Sequence, residues 1–202
     1  MTHAWEYPII ILAAGQSSRM RGRDKLLENI GGQPLLRRQA AMARSITSGP
    51  VIVALPVAPH PRYAVLDGLA VTPLPVPHAA EGMNASLRTA FAQVKGAPCA
   101  MLLLADLPEL ESTDLRTVAQ AVDLDSQTQV WRGATAAGAA GHPIIFAASL
   151  FPAIADLRGD GGGREVVASA QDRTVLIPLP GNRARRDLDT PEDWATWRNV
   201  HD

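Results

Sequence analysis

Three short runs, Ile9 to Ala13, Val51 to Leu55 and Ala100 to Ala105, are apolar with no polar alternation. A strand with one face in water alternates, so unbroken apolar runs of this length predict strands covered on both faces, the condition of a parallel sheet. Stretches with apolar residues at helical spacing lie between and after them: Leu35 to Ile46, Ala85 to Val94 and Leu115 to Leu124. Strand and helix in repeated alternation predict an α/β fold, Rossmann-like and doubly wound, with a mostly parallel sheet in the middle of three α/β/α layers. Ligands of such sheets lie beyond the carboxyl ends of the strands, so the loops that follow strands carry the chemistry.

A chain of 202 residues suits one domain, 1–202, whose core closes without disulfides. Its 19% charged residues and formal net charge of -1 exclude a generally basic surface for nucleic acid, so any anion must be held locally. Cys99 is the single cysteine and adjoins the apolar run Ala100 to Leu104; no internal disulfide can form, and a reducing, cytoplasmic setting is expected. The stretch Pro8 to Ala14 is too short for a bilayer and lacks a basic leader, so neither membrane insertion nor export is expected.

The proline-dense segments Pro56 to Pro61 and Pro73 to Pro77 read as surface connections. Gly141-His142-Pro143 introduces a strand, Ile144 to Phe146; helical spacing returns over Ala148 to Leu157, and a glycine loop, Gly159 to Gly163, follows. Near the end, Thr190-Pro191-Glu192-Asp193 opens a helix, with threonine to cap it, proline in the first turn and acids at its positive end.

The loop after the first strand is Leu12-Ala13-Ala14-Gly15-Gln16-Ser17-Ser18-Arg19-Met20, continuing to Asp24 and Lys25. Small residues let backbone amides approach a ligand, and Ser17 and Ser18 add hydroxyl donors, which together describe a phosphate cradle. Arg19 can fork onto phosphate oxygens, and Lys25 can place a compact charge near the phosphorus under attack. Neither a Walker lysine motif nor a dinucleotide glycine triplet is present in this loop. Asp106 ends the apolar run Met101 to Ala105, where an acid costs solvation unless it is paired; a hard cation such as Mg²⁺ suits it, the alternative being a cap for the helix near Ser112. Alternation along an extended segment would put Asp187 and Asp189 on one face, able to meet Asp106, again with helix capping as the alternative.

These motifs resemble the molybdopterin nucleotidyltransferases, whose first loop is similar to L-A-A/G-G-x-S-x-R-M-G-x-x-K, with wider kinship to sugar-phosphate and cytidylyl transferases. The resemblance runs from Ile9 to Trp194 in the family's order. It implies the nucleotide-diphospho-sugar transferase type of fold, with the nucleotide held by Leu12, Ala13, Ala14, Gly15, Ser17, Ser18, Arg19 and Lys25, by Gly82 and Ser86 of Glu81-Gly82-Met83-Asn84-Ala85-Ser86-Leu87, and by Asp106. It implies Mg²⁺ on Asp106 and Asp189, and an acceptor held by His142, Asp160, Arg164 and Asp187, the first from a G-H-P-x-x-F element and the next two from a G-D-x-G-x-R loop. The activity implied is transfer of CMP from CTP to molybdopterin cofactor with release of pyrophosphate, the product passing to a molybdoenzyme or its insertion chaperone. One departure bears on the base: Arg19-Met20-Arg21-Gly22-Arg23-Asp24-Lys25 carries a residue more than the cytidylyl pattern, and its Gly-x-Asp-Lys ending resembles the guanylyl branch, whereas the double alanine and Gly-His-Pro favour cytidine. Two other functions share the cleft residues, a sugar-phosphate nucleotidyltransferase and a non-catalytic cofactor carrier; Arg19, Lys25 and Asp106 together argue against the carrier.

Overall fold

The computed structural model describes residues 5–201. The three apolar runs form adjacent parallel strands: β1 (Ile9–Leu12) lies between β4 (Val51–Leu55) and β6 (Cys99–Leu104), with Ile9 level with Val51 on one side and Met101 on the other. A small hairpin of β2 (Asn29–Ile30) and β3 (Gln33–Pro34) leads into α1 (Leu35–Ile46), the helix read from its apolar spacing.

The segment 73–77 departs from the expected loop. Thr72–Pro75 is a strand, β5, pairing in parallel with β4 so that Val53 faces Pro73 and Leu55 faces Pro75. Prolines survive there because β5 is an edge strand, where a missing N–H on the solvent side leaves no ladder bond unmade. Next come α2 (Met83–Phe91), β6, α3 (Ser112–Gln120), β7 (Val130–Ala134), β8 (Ala140–Ala147), α4 (Phe151–Ala155), α5 (Arg164–Ser169), β9 (Thr174–Pro178) and α6 (Pro191–His201). The sheet has seven strands in the order β5-β4-β1-β6-β8-β7-β9. It is mostly parallel; β8 alone runs against its neighbours, β6 and β7.

Side-chain alternation along β1 sorts the core into two halves. Ile9 and Ile11 pack with α1, α3 and Trp194 of α6, whereas Ile10 and Leu12 pack with Leu87 of α2, Ile154 of α4 and Val166 of α5. This is the three-layer α/β/α arrangement, and it explains the unbroken apolar runs: both faces of these strands are covered. Thr190 caps α6 as anticipated, its Oγ1 accepting from the Asp193 amide at 3.1 Å while the Asp193 carboxylate accepts from the Thr190 amide at 2.9 Å. The cap of α3 is Glu111, paired reciprocally with Asp114, so Asp106 is not a capping residue.

Candidate active site

β1 delivers the chain into its small-residue loop at the carboxyl edge of the sheet. Buried Ala13 and Ala14 lead out of the strand, and the loop then turns through Ser17 at φ 51° and Arg21 at φ 53°, both left-handed. Each such position costs a non-glycine residue about 1 kcal/mol or more, so surrounding structure must hold it. Met20, fully buried, pins a 3-10 turn over Ser18–Met20. A second turn, Lys25–Leu27, begins where the Asp24 carboxylate accepts from the Leu26 amide at 3.0 Å, and its first residue is the lysine.

Lys25 is the centre of the site. Its Nζ lies 2.6 Å from Asp106 Oδ2 and 2.6 Å from Asp189 Oδ1, bringing together residues far apart in sequence. Arg19 adds a pair to the other Asp189 oxygen at 2.7 Å, with most of its own side chain in solvent. Burial pulls the Lys25 ammonium's pKa down, but the two carboxylates outweigh it and hold the value above the ordinary lysine range. The lysine is therefore a fixed cation at neutral pH. Asp187 is held above the carboxylate range, first by burial and then by the charges of Asp189 and Asp106. Cys99 is no nucleophile: burial pushes its thiol to about 12.

A cleft of about 570 Å³ opens over these groups. It is lined by Leu12, Ala13, Ala14, Gly15, Ser17, Ser18, Arg19, Lys25, Gly82, Ser86 and Asp106, the whole set assigned to the nucleotide from sequence, together with Asp160, Arg164, Asp187 and Asp189. His142 stands outside it, in an adjoining cavity of about 750 Å³ that shares Met83, Leu104, Asp160, Arg164 and Asp187 with the cleft. Burial, then the charge of Arg132, lowers the His142 pKa to about 4, and its Nδ1 is enclosed without a hydrogen-bond partner. At neutral pH His142 is an uncharged imidazole.

Two residues of the cleft wall, Gly82 and Asp160, also serve the fold. The space left by the absent Cβ of Gly82, at φ 110°, is filled by the Asp160 carboxyl rather than left open; a Cβ there would lie 2.5 Å from Asp160 Oδ1. Asp160 itself accepts from the Met83 amide at 2.6 Å, so it caps α2 while bordering both cavities. Asn84 completes the attachment of the glycine loop, donating to the Arg158 carbonyl at 2.7 Å and accepting from the Gly163 amide at 3.1 Å.

Three arginines that the motifs did not single out also belong here. Arg62, at 1% exposure, follows β4 and reaches the loop of β1. Its position after a strand's carboxyl end was the signal available, but the prolines around it read as an ordinary connection. Arg132 on β7 and Arg185 line the cavity with His142; Arg132 Nε donates to the Gly141 carbonyl at 2.8 Å, and neither guanidinium pairs with a carboxylate among the described residues. Burial and the neighbouring charge of Arg185 lower the pKa of Arg132, the mark of a cation without a counter-ion.

Among the described residues no three His, Cys, Asp or Glu side chains form a ready-made metal cluster. Asp106 nevertheless fits one ligand role: its Oδ1 is buried with no hydrogen-bond partner, while Oδ2 faces Lys25. Mg²⁺ in nucleotide sites needs only one or two carboxylates, because phosphate and water supply the remaining oxygens. Both oxygens of Asp189 are engaged by cations.

A cation-lined cleft under a small-residue loop, at the carboxyl edge of a mostly parallel three-layer sheet, defines a nucleotidyltransferase with the Rossmann-like fold of the nucleotide-diphospho-sugar transferase type. Residues 9–174 match the MobA-like NTP transferase domain, and the chain belongs to that family. This bears out the resemblance to the molybdopterin nucleotidyltransferases. A curated relative from Synechococcus elongatus, a probable molybdenum cofactor guanylyltransferase, is 30% identical over 198 residues, covering 93% of this chain and 96% of its own. The crystal structure of Rv0371c from Mycobacterium tuberculosis superposes with a TM-score of 0.79 at 26% identity, covering 97% of this chain and 99% of that one. A complex of the same protein with manganese gives a TM-score of 0.73 at 25% identity, covering 97% and 98%. No helix of the described residues is long and apolar enough to cross a membrane.

Proposed function

We propose that this enzyme transfers a nucleoside monophosphate from an NTP to the phosphate of molybdopterin cofactor, releasing pyrophosphate. The observation that carries the proposal is the Lys25 ammonium held between Asp106 and Asp189, with Arg19 beside it, at the base of the small-residue loop. A phosphate monoester acceptor has its second pKa near about 6 and is largely ionised at neutral pH, so it attacks without a general base. That agrees with a site whose one histidine is neutral and enclosed. The barrier is then the approach of two anions, lowered by positioning and fixed positive charge.

Lys25 and Arg19 supply that charge on the side of the departing pyrophosphate, and the loop Ala13 to Ser18 receives the triphosphate. Mg²⁺ held by Asp106, and by Asp189 once Arg19 gives up its oxygen, would neutralise charge on the phosphate oxygens. The manganese complex of the mycobacterial relative supports a divalent ion in this fold. Arg132, Arg164, Arg185 and His142 surround the acceptor in the adjoining cavity, where the unpaired guanidinium of Arg132 suits an anionic ligand.

CTP is the donor favoured by the double alanine and by Gly-His-Pro; GTP is the alternative, favoured by the name of the cyanobacterial relative. The test is pyrophosphate release with each NTP and Mg²⁺, with and without molybdopterin cofactor. Acceptor-dependent release with CTP or GTP is expected, and its absence with every NTP would overturn the assignment. Asp106→Asn should abolish divalent-dependent release while leaving the melting transition in place; undiminished release would remove Asp106 from the metal site.

A further inference from the structure

Asp24 belongs to the Gly-x-Asp-Lys ending that bears on base identity, yet the reaction described above gives it no task. Both of its oxygens are occupied. Oδ2 accepts from Arg62 Nε at 2.7 Å, and Oδ1 accepts from Arg62 Nη2 at 2.8 Å, from the Leu26 amide at 3.0 Å and from Ser17 Oγ at 3.3 Å. A carboxylate offers about four lone-pair positions, so little of Asp24 is left for a ligand. Arg62 is committed as fully: beyond the fork onto Asp24, its Nη1 donates to the Ala13 carbonyl at 2.6 Å and its Nη2 to Ser17 Oγ at 3.2 Å.

We propose that Arg62 is a positioning residue that, paired with Asp24, clasps the β1 loop in its phosphate-receiving shape, and that Asp24 consequently takes no part in choosing the base. The clasp ties together three points of the loop: the end of the strand at Ala13, the left-handed Ser17, and the cap of the turn that presents Lys25. Two residues in that loop, Ser17 and Arg21, have left-handed backbones, and unaided they would relax. The planar fork of arginine meets the carboxylate bidentately and still has a donor for the carbonyl, a geometry that lysine cannot reproduce.

Removing one partner of a buried pair leaves an uncompensated charge, whereas replacing both with apolar residues is often neutral for stability. The double variant Asp24→Leu with Arg62→Met therefore tests the clasp in a folded protein, with a cooperative melt as the check, alongside Asp24→Asn and Arg62→Lys. Amide exchange across residues 13–26 should rise by roughly tenfold or more in the double variant while the strands beneath stay protected, because opening of the loop is local. Exchange in the loop at the wild-type rate, or a single variant that retains wild-type NTP binding by calorimetry, would overturn the clasp. The kinetic arm rests on the nucleotidyl transfer proposed above: Arg62→Lys and Asp24→Asn should raise KM for the NTP and lower kcat, leaving the CTP to GTP ratio of kcat/KM unchanged. A shifted ratio in Asp24→Asn would make Asp24 a base-reading residue instead. Wild-type enzyme that turns over no NTP would sink the transfer and leave the exchange experiment to judge the clasp.

Discussion

Lys25 answers to two demands. It is the counter-charge that allows Asp106 and Asp189 to approach one another, and in the proposed reaction it is the cation that meets the developing phosphate charge. Replacing it with alanine leaves two carboxylates facing each other and removes a fixed positive charge. We expect Lys25→Ala to lower kcat by roughly 10²-fold or more, in the range measured when a single oriented electrostatic partner is lost. Single-turnover pyrophosphate release decides it, and a rate equal to wild type would deny the ammonium a catalytic role. Arg19 makes a more exposed pair that contributes little to stability, so in the proposed reaction its guanidinium can exchange Asp189 for phosphate.

The elements around the cleft are fastened to one another by side chains that looked, in sequence, like ligand-binding groups. Asp160 is the clearest case: its carboxylate caps α2 and thereby ties the glycine loop of residues 159–163 to the helix that carries Ser86. Asp160→Ala should cost about 1 kcal/mol, the net value of one hydrogen bond to the first amide of α2, and should also raise KM for the acceptor as the loop loosens. A thermal melt together with acceptor titration at saturating NTP checks both; an unchanged KM would confine Asp160 to the helix. The other side of the cleft owes its order to β4, whose following loop supplies Arg62.

Across the molecule, pH acts on stability through groups whose pKa folding shifts, and His142 sets one limb. Its folded pKa of about 4 lies below the ordinary 6.5, so between those values the unfolded chain takes up a proton that the folded chain refuses. Stability should therefore decline as pH falls from 6.5 to about 4, and His142→Gln should flatten that limb. Asp24 acts lower on the scale. Burial raises its pKa, but Arg62 outweighs burial and holds it below the ordinary 3.8, so its contribution is present above 3.8 and is lost as pH falls through the folded value. Urea titrations at stepped pH, comparing wild type with the variant, separate the two; a wild-type slope retained in His142→Gln would contradict the assignment.

The sheet centre and the helix Leu35 to Ile46 could be read from the chain, because unbroken apolar runs and helical spacing are local consequences of burial, and the cleft's inventory followed from the family resemblance of its motifs. The signature loop and Asp106 were legible for a related reason: each follows directly on such a run. Pairing was not legible. It took the folded chain to show that Lys25 meets Asp106 and Asp189, that the Asp160 carboxyl lies against Gly82, and that Arg62 completes the loop from the end of the neighbouring strand, since these contacts span 38 to 164 residues of chain. The tertiary structure also decided that prolines 73 and 75 lie in a strand, because an edge position forgives the missing donor and no local pattern reveals where the edge will be.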